Sequence, residues 1–206
     1  MQNLKSKGFT LVELAIVLVI IGIIIGAILK GQDLIQNARM KKFVNDAGRK
    51  WEVATWIFYD REGRFPGDAN KDGIIGDGNV KTDLVDRSRL LLSGDNQITL
   101  GSFYFLVGLG NDGATRPKNV LVVCSGTTSC QQATEDEIEF FKTFDTSFDG
   151  VADVGTGLVR GYKTTTPDIN ATTWVATVAS ANIEGTTGNW TSGTHHALVY
   201  YFDRRP

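Results

Sequence analysis

Between Glu13 and Lys30 every residue is Leu, Ala, Ile, Val or Gly, and the run Phe9–Leu29 holds a single charge, Glu13. Twenty-one residues at 1.5 Å each make a helix of roughly 32 Å, about the thickness of a bilayer's hydrocarbon core. No aqueous fold of ordinary size buries a helix that is apolar on all sides, so the run predicts membrane insertion at some stage. It is longer than the apolar core of a cleaved secretory signal, and Ala27-Ile28-Leu29-Lys30-Gly31-Gln32 beyond it carries no A-x-A cleavage pattern. The run is therefore expected to stay with the mature chain. The rest of the 206 residues allows one modest domain. A net charge of −2, with 21 basic against 23 acidic side chains, argues against a nucleic-acid partner.

Glu13 is the anomaly in the run. A carboxylate at the centre of a spanning helix costs on the order of 2.5–3.5 kcal/mol, less towards its end, and an intramembrane charge is a functional hypothesis by default. The bland alternative is a plain single-pass anchor with its Glu near the interface. Before the run stands a short basic stretch holding Lys5 and Lys7, then Gly8, whose lack of a side chain lets the following peptide bond enter a tight active site.

The segment Lys7-Gly8-Phe9-Thr10-Leu11-Val12-Glu13-Leu14 resembles the processing signal of type IV pilins and type II secretion pseudopilins. The resemblance implies cleavage between Gly8 and Phe9 by a prepilin peptidase and N-methylation of Phe9. It also implies that Glu13 pairs with the amine of Phe9 on a neighbouring subunit and sets the axial register of a filament. The expected partners are a homo- or hetero-oligomeric pilin filament, the peptidase, an inner-membrane assembly platform and membrane lipid. Lys5 and Lys7 on one side and Lys30, Arg39, Lys41 and Lys42 on the other leave the charge rule for orientation undecided. The resemblance selects N-in, C-out: a bacterial inner-membrane precursor, then a periplasmic or cell-surface filament.

After Lys30 the pattern turns amphipathic. Met40, Phe43, Val44, Ala47, Trp51, Ala54 and Phe58 fall on one helix face, and Gly63, Pro66 and Gly67 predict its end. Read continuously, Phe9 to Glu62 is 54 residues, roughly 81 Å of helix. The aromatics Phe43, Trp51, Trp56, Phe58 and Tyr59 read as its seam against a head domain. Strands are predicted over 97–107, 120–124, 157–163, 174–178 and 197–202. The expected fold is α+β and pilin-like, a long N-terminal helix packed on an antiparallel sheet. Its parts are a leader (1–8), a membrane and filament-core helix (9–29), an amphipathic continuation (30–66) and an extracytoplasmic head (67–206).

Two head segments are rich in Asp. In the first, Asp68, Asn70 and Asp72 stand at positions 1, 3 and 5 of an EF-hand-like loop, with Gly73 at 6 and the carbonyl of Ile74 at 7. Asn79 replaces the bidentate acid at position 12, and Asp77 is the substitute ligand. Ca2+ is the predicted occupant, a solvated Asp/Gly turn the alternative. The second runs from Phe144 to Gly157 and, with Phe65-Pro66-Gly67-Asp68, resembles a subgroup of pilin-like proteins; Phe148-Asp149-Gly150 lacks the doubled acid expected of a second metal site. With the head outside the cytoplasm, Cys124 and Cys130 are expected to form a disulfide, free thiols or a metal pair being the alternatives. His195 and His196 are adjacent, so a strand would point them to opposite faces.

No nucleophile and base, zinc cluster or phosphate loop emerges, and the expectation is a structural subunit rather than an enzyme. A minor pilin or tip adhesin using Trp174 or Trp190 as exposed aromatics, or a membrane-anchored extracytoplasmic binding protein, are the alternatives.

Overall fold

The computed structural model describes residues 9–203, in two units: Met1–Arg39, and Met40–Pro206. In the first unit, regular helix α1 (Leu11–Phe43) begins, and its side chains are exposed along the apolar run. Among the described residues, one helix is long and apolar enough to cross a membrane, by length and composition.

The second unit opens with the end of α1, a single π-helical turn (Val44–Arg49) and helix α2 (Lys50–Glu62). Phe43, Ala47 and Trp51 are fully buried at successive four-residue steps. On a 3.6-residue helix each such step rotates the side chain by about 40°, so the two steps from Phe43 to Trp51 would drift about 80° around the helix. The wider i→i+5 turn takes up that rotation and keeps all three against the sheet. Gly63 ends α2 at φ 69° and donates its N–H to the Tyr59 carbonyl, the left-handed cap expected from the sequence.

A seven-stranded sheet follows: β1 (Gln97–Leu100), β2 (Phe103–Asn111), β3 (Asn119–Ser125), β4 (Val159–Lys163), β5 (Asp168–Ile169), β6 (Val175–Thr177) and β7 (His195–Tyr200), in the order β4-β7-β3-β2-β6-β5. β2 is long enough to pair twice on one side, with β1 through its first half and with β6 through its second. The β2–β6 pair is parallel and the others antiparallel. One face of the sheet packs on Phe43, Trp51 and Phe58 of the helical segments; the other carries Leu106, Val122, Tyr162, Ala176 and Val199. β3 is buried at every position, because it lies between two neighbours and is covered on both faces.

Some boundaries differ from expectation. The predicted strand 97–107 is a hairpin, turned at Gly101 with φ 70°. Trp174, the first residue of the predicted strand 174–178, stands just before β6 at φ 60°. A third helix, α3 (Glu135–Asp149), was not expected, although Thr134-x-x-Glu137 is a capping-box sequence followed by apolar residues at helical spacing. The box is formed: the Glu137 carboxylate accepts from Thr134 N–H at 2.8 Å, and Thr134 Oγ1 accepts from Glu137 N–H.

Candidate functional site

The N-terminal motif folds locally. Gly8, Lys5 and Lys7 lie outside the described residues; Phe9 is 86% exposed just before α1. Thr10 is the N-cap, and Glu13 reaches back one turn to accept from Thr10 N–H at 2.8 Å and Thr10 Oγ1 at 2.9 Å. The arrangement repeats the Thr134–Glu137 box of α3. Glu13 therefore satisfies the first orphan donors of its own helix, and its carboxylate sits at the Phe9 end of the apolar run. Nothing surrounds Gly22 or Gly26, so a Cβ at either would meet open space.

The acidic loop is built on a buried anchor. Arg64 makes two 2.7 Å bonds to Asp83 in a fork-to-carboxylate pair, and the same carboxylate accepts from Gly67 N–H. Asp68 is fully buried and accepts from Lys71 and Gly73 N–H at 2.7 and 3.0 Å. Asn70 Oδ1 accepts from Asp72 N–H, Asp72 Oδ1 from Ile74 N–H, and Asp77 takes the N–H groups of Ala69 and Asn70. Gly73 stands at φ 86°, the sharp turn its position demands. All the donors are oxygens, the chemistry of a hard cation. As placed, each of these side chains accepts bonds from the loop's own backbone, and no group of three His, Cys, Asp or Glu among the described residues is arranged to hold an ion. Two residues missed in the sequence pin the loop to the sheet: Asn119 accepts from Ile75 N–H and donates to Gly73 O, and Asn111 donates to Ile75 O. Nothing local in the sequence marks them, since their partners lie 36 to 46 residues away.

The second acidic segment is a set of backbone clamps. Asp149 accepts from Leu158 and Val159 N–H, and Asp153 from Gly155 and Gly188 N–H. Cys124 and Cys130 form the expected disulfide. Beside it Ser125 Oγ donates to Glu137 at 2.6 Å, joining β3 to the cap of α3. His195 and His196 separate as expected: His195 is buried, its Nδ1 2.9 Å from Thr191 N–H, while His196 is only half-buried. Trp174 and Trp190 are 1% and 4% exposed, against the alternative in which they present aromatic surface to a ligand. Trp174 packs on Trp51, and Trp190 on Phe141.

Residues 3–29 match the prokaryotic N-terminal methylation motif, the prepilin-type signal of type IV pilins and pseudopilins. Neither a curated protein nor a solved structure matches the chain.

Proposed function

We propose that this chain is a structural subunit of a type IV pilus or type II secretion pseudopilus, cut after Gly8, methylated on Phe9 and assembled through its apolar helix. The methylation motif at residues 3–29 carries the reading. An uninterrupted apolar helix with its one carboxylate at the processed end supports it. In the precursor, Glu13 is held by Thr10 of its own chain. Cleavage turns the Phe9 amide into an amine, and a neighbouring subunit's amine then offers Glu13 a charged partner in place of a neutral N–H, which offsets desolvation and fixes the stagger. The precursor lies N-in, C-out in the inner membrane, and its head is extracytoplasmic.

The test is the mature N-terminus, read by mass spectrometry, together with Glu13→Ala. We expect a chain that begins at methylated Phe9, and a variant that is processed but fails to enter filaments. An intact Met1, or cleavage beyond Leu29, removes the reading; normal assembly of Glu13→Ala removes the register role alone. Shearing filaments from cells and probing them for the chain separates a surface pilus from a secretion pseudopilus.

The acidic loop is proposed to take Ca2+ through Asp68, Asn70, Asp72, the Ile74 carbonyl and Asp77. All-oxygen donors at alternate positions around a left-handed Gly73 support this. A carboxylate oxygen that accepts one N–H keeps a second lone pair for an ion. The ion would brace the loop between Arg64 and the sheet. Because a ligand of the folded state raises apparent stability, the full chain in detergent is expected to melt higher in CaCl2 than in chelator, and Asp72→Ala to lose that difference. Equal melting in both conditions removes calcium and leaves the filament reading intact.

A further inference from the structure

Asp145 of α3 is fully buried, yet its two oxygens are treated unequally. Oδ2 accepts from the Trp190 indole N–H at 2.7 Å and from Asp153 N–H at 2.8 Å. Oδ1 is buried with no partner among the described residues. Asp149 faces Asp145 from its own helix and Asp153 from the following loop, both acidic. From the 188–195 segment it meets Trp190, which the His195 ring meets edge-to-face with centroids 5.5 Å apart. Beyond His195 stands Glu184, with its Oε1 3.8 Å from Nε2 and paired to Lys163 at 2.8 Å. Among the described residues no cation pairs with Asp145.

A carboxylate shares its charge between both oxygens, so ionising Asp145 places negative charge on an atom with no donor, beside two further acids. With a proton on Oδ1 the group is neutral and Oδ2 still accepts both N–H bonds. Burial, opposed by the Trp190 and Asp153 bonds and reinforced by Asp149 and Asp153, pushes this carboxyl up to about 7.

The two segments that Asp145 grips cover a sheet edge. β4 is the terminal strand on its side, and Gly161 of β4 donates its N–H to Val154 O at 2.8 Å. Val154 N–H in turn donates to Gly188 O, and Gly188 N–H to Asp153. The Val154 part of the cover hangs from α3 through Asp145 and Asp149, while Glu184, whose N–H donates to Gly161 O, and Ile183, bridged to Tyr162, cover the rest of the β4 edge. Uncovered, a terminal strand offers free N–H and C=O groups for pairing with another chain.

We propose that Asp145 is a proton-operated clasp: neutral, it ties α3 to the 150–158 and 188–190 segments over the β4 edge; ionised, it loosens that cover. The Gly161 N–H side of the strand edge, held by Val154, then opens as the surroundings turn from mildly acid to mildly alkaline. The inference rests on the head alone and stands whatever machine the chain serves.

The experiment is an NMR titration of the full chain in detergent from about pH 5 to about pH 9, following the Asp145 carboxyl carbon, the Trp190 indole N–H and exchange protection of the Val154 and Gly161 amides. We expect the carboxyl carbon and the indole to titrate together near neutrality, and the two amides to lose about tenfold in protection across the same step. Asp145→Asn should abolish the step, and His195→Asn should keep it. A carboxyl that titrates wholly below about pH 5, amide protection that stays flat through the midpoint, or a step that vanishes with His195→Asn overturns the proposal. Should Asp145→Asn fail to fold, the wild-type carboxyl and amide curves decide by themselves.

Discussion

Asp145, Asp149 and Asp153 stand four residues apart, and each holds N–H groups of another stretch of chain. Their surroundings separate them. Asp149 and Asp153 have donors on both oxygens; against the cost of burial, the Asp153 carboxyl is held below its ordinary value by hydrogen bonds from Gly155 N–H, the Thr156 side chain and backbone, and Gly188 N–H. Asp145 has donors on one oxygen only. The folded state therefore binds its proton more tightly than the unfolded chain does. Between the ordinary Asp value and about 7 the native state holds more protons, so the contribution of Asp145 to stability falls as pH rises through that window and is flat above it. His195, whose pKa burial lowers, works in the opposite sense just below its ordinary value, adding stability as pH rises there. Thermal melting of His195→Asn across this range should show the Asp145 slope alone, and adding Asp145→Asn should flatten it. Spacing in the sequence displayed the three acids as a group but not their difference, which depends on Trp190, 45 residues away.

At the scale of elements, the π turn is what brings the helical segments and α3 together. Gly48 lies inside it, and a Cβ there would stand 2.7–2.9 Å from ring atoms of Phe144 and Phe148. Phe144 is fully buried and stacks on the half-buried Phe148 at 4.6 Å, and both meet Tyr200. Gly48→Ala should overpack this contact by about 1–3 kcal/mol, despite the better helix propensity of Ala, and lower the melting temperature by several degrees. Unchanged or raised melting would show that α3 yields. The helix face itself was legible, since Phe43, Ala47, Trp51 and Phe58 recur at helical spacing and are all buried. The π turn was not, because three- and four-residue steps fit either helix until the sheet decides which side chains must face it. α3 is marked in the sequence by its Thr134–Glu137 box, a local signal set in a Gly-rich, strand-dominated stretch.

For the molecule as a whole, one apolar core cluster begins at Phe43, with Met40 packed against it, and the other at Leu106, so neither draws on a residue before Met40. The second unit should thus fold without the first. A chain begun at Met40 is expected to melt cooperatively in water with its disulfide formed; aggregation or gradual melting would show that the apolar helix contributes to folding. By itself the sequence determined the membrane-length helix, the processing motif, the amphipathic turn-over after Lys30, the Gly63 stop and the Cys124–Cys130 pairing. Each is written in neighbours a few residues apart, where periodicity, caps and charge act locally. Only the tertiary structure decided that β2 serves two partners on one side, that Trp174 and Trp190 point inward, that Asn111 and Asn119 moor the acidic loop, and that Asp145 keeps one oxygen without a donor. Those outcomes depend on which distant groups share a buried volume, where an unmatched polar atom or a missing Cβ costs most and where spacing along the chain carries no such information.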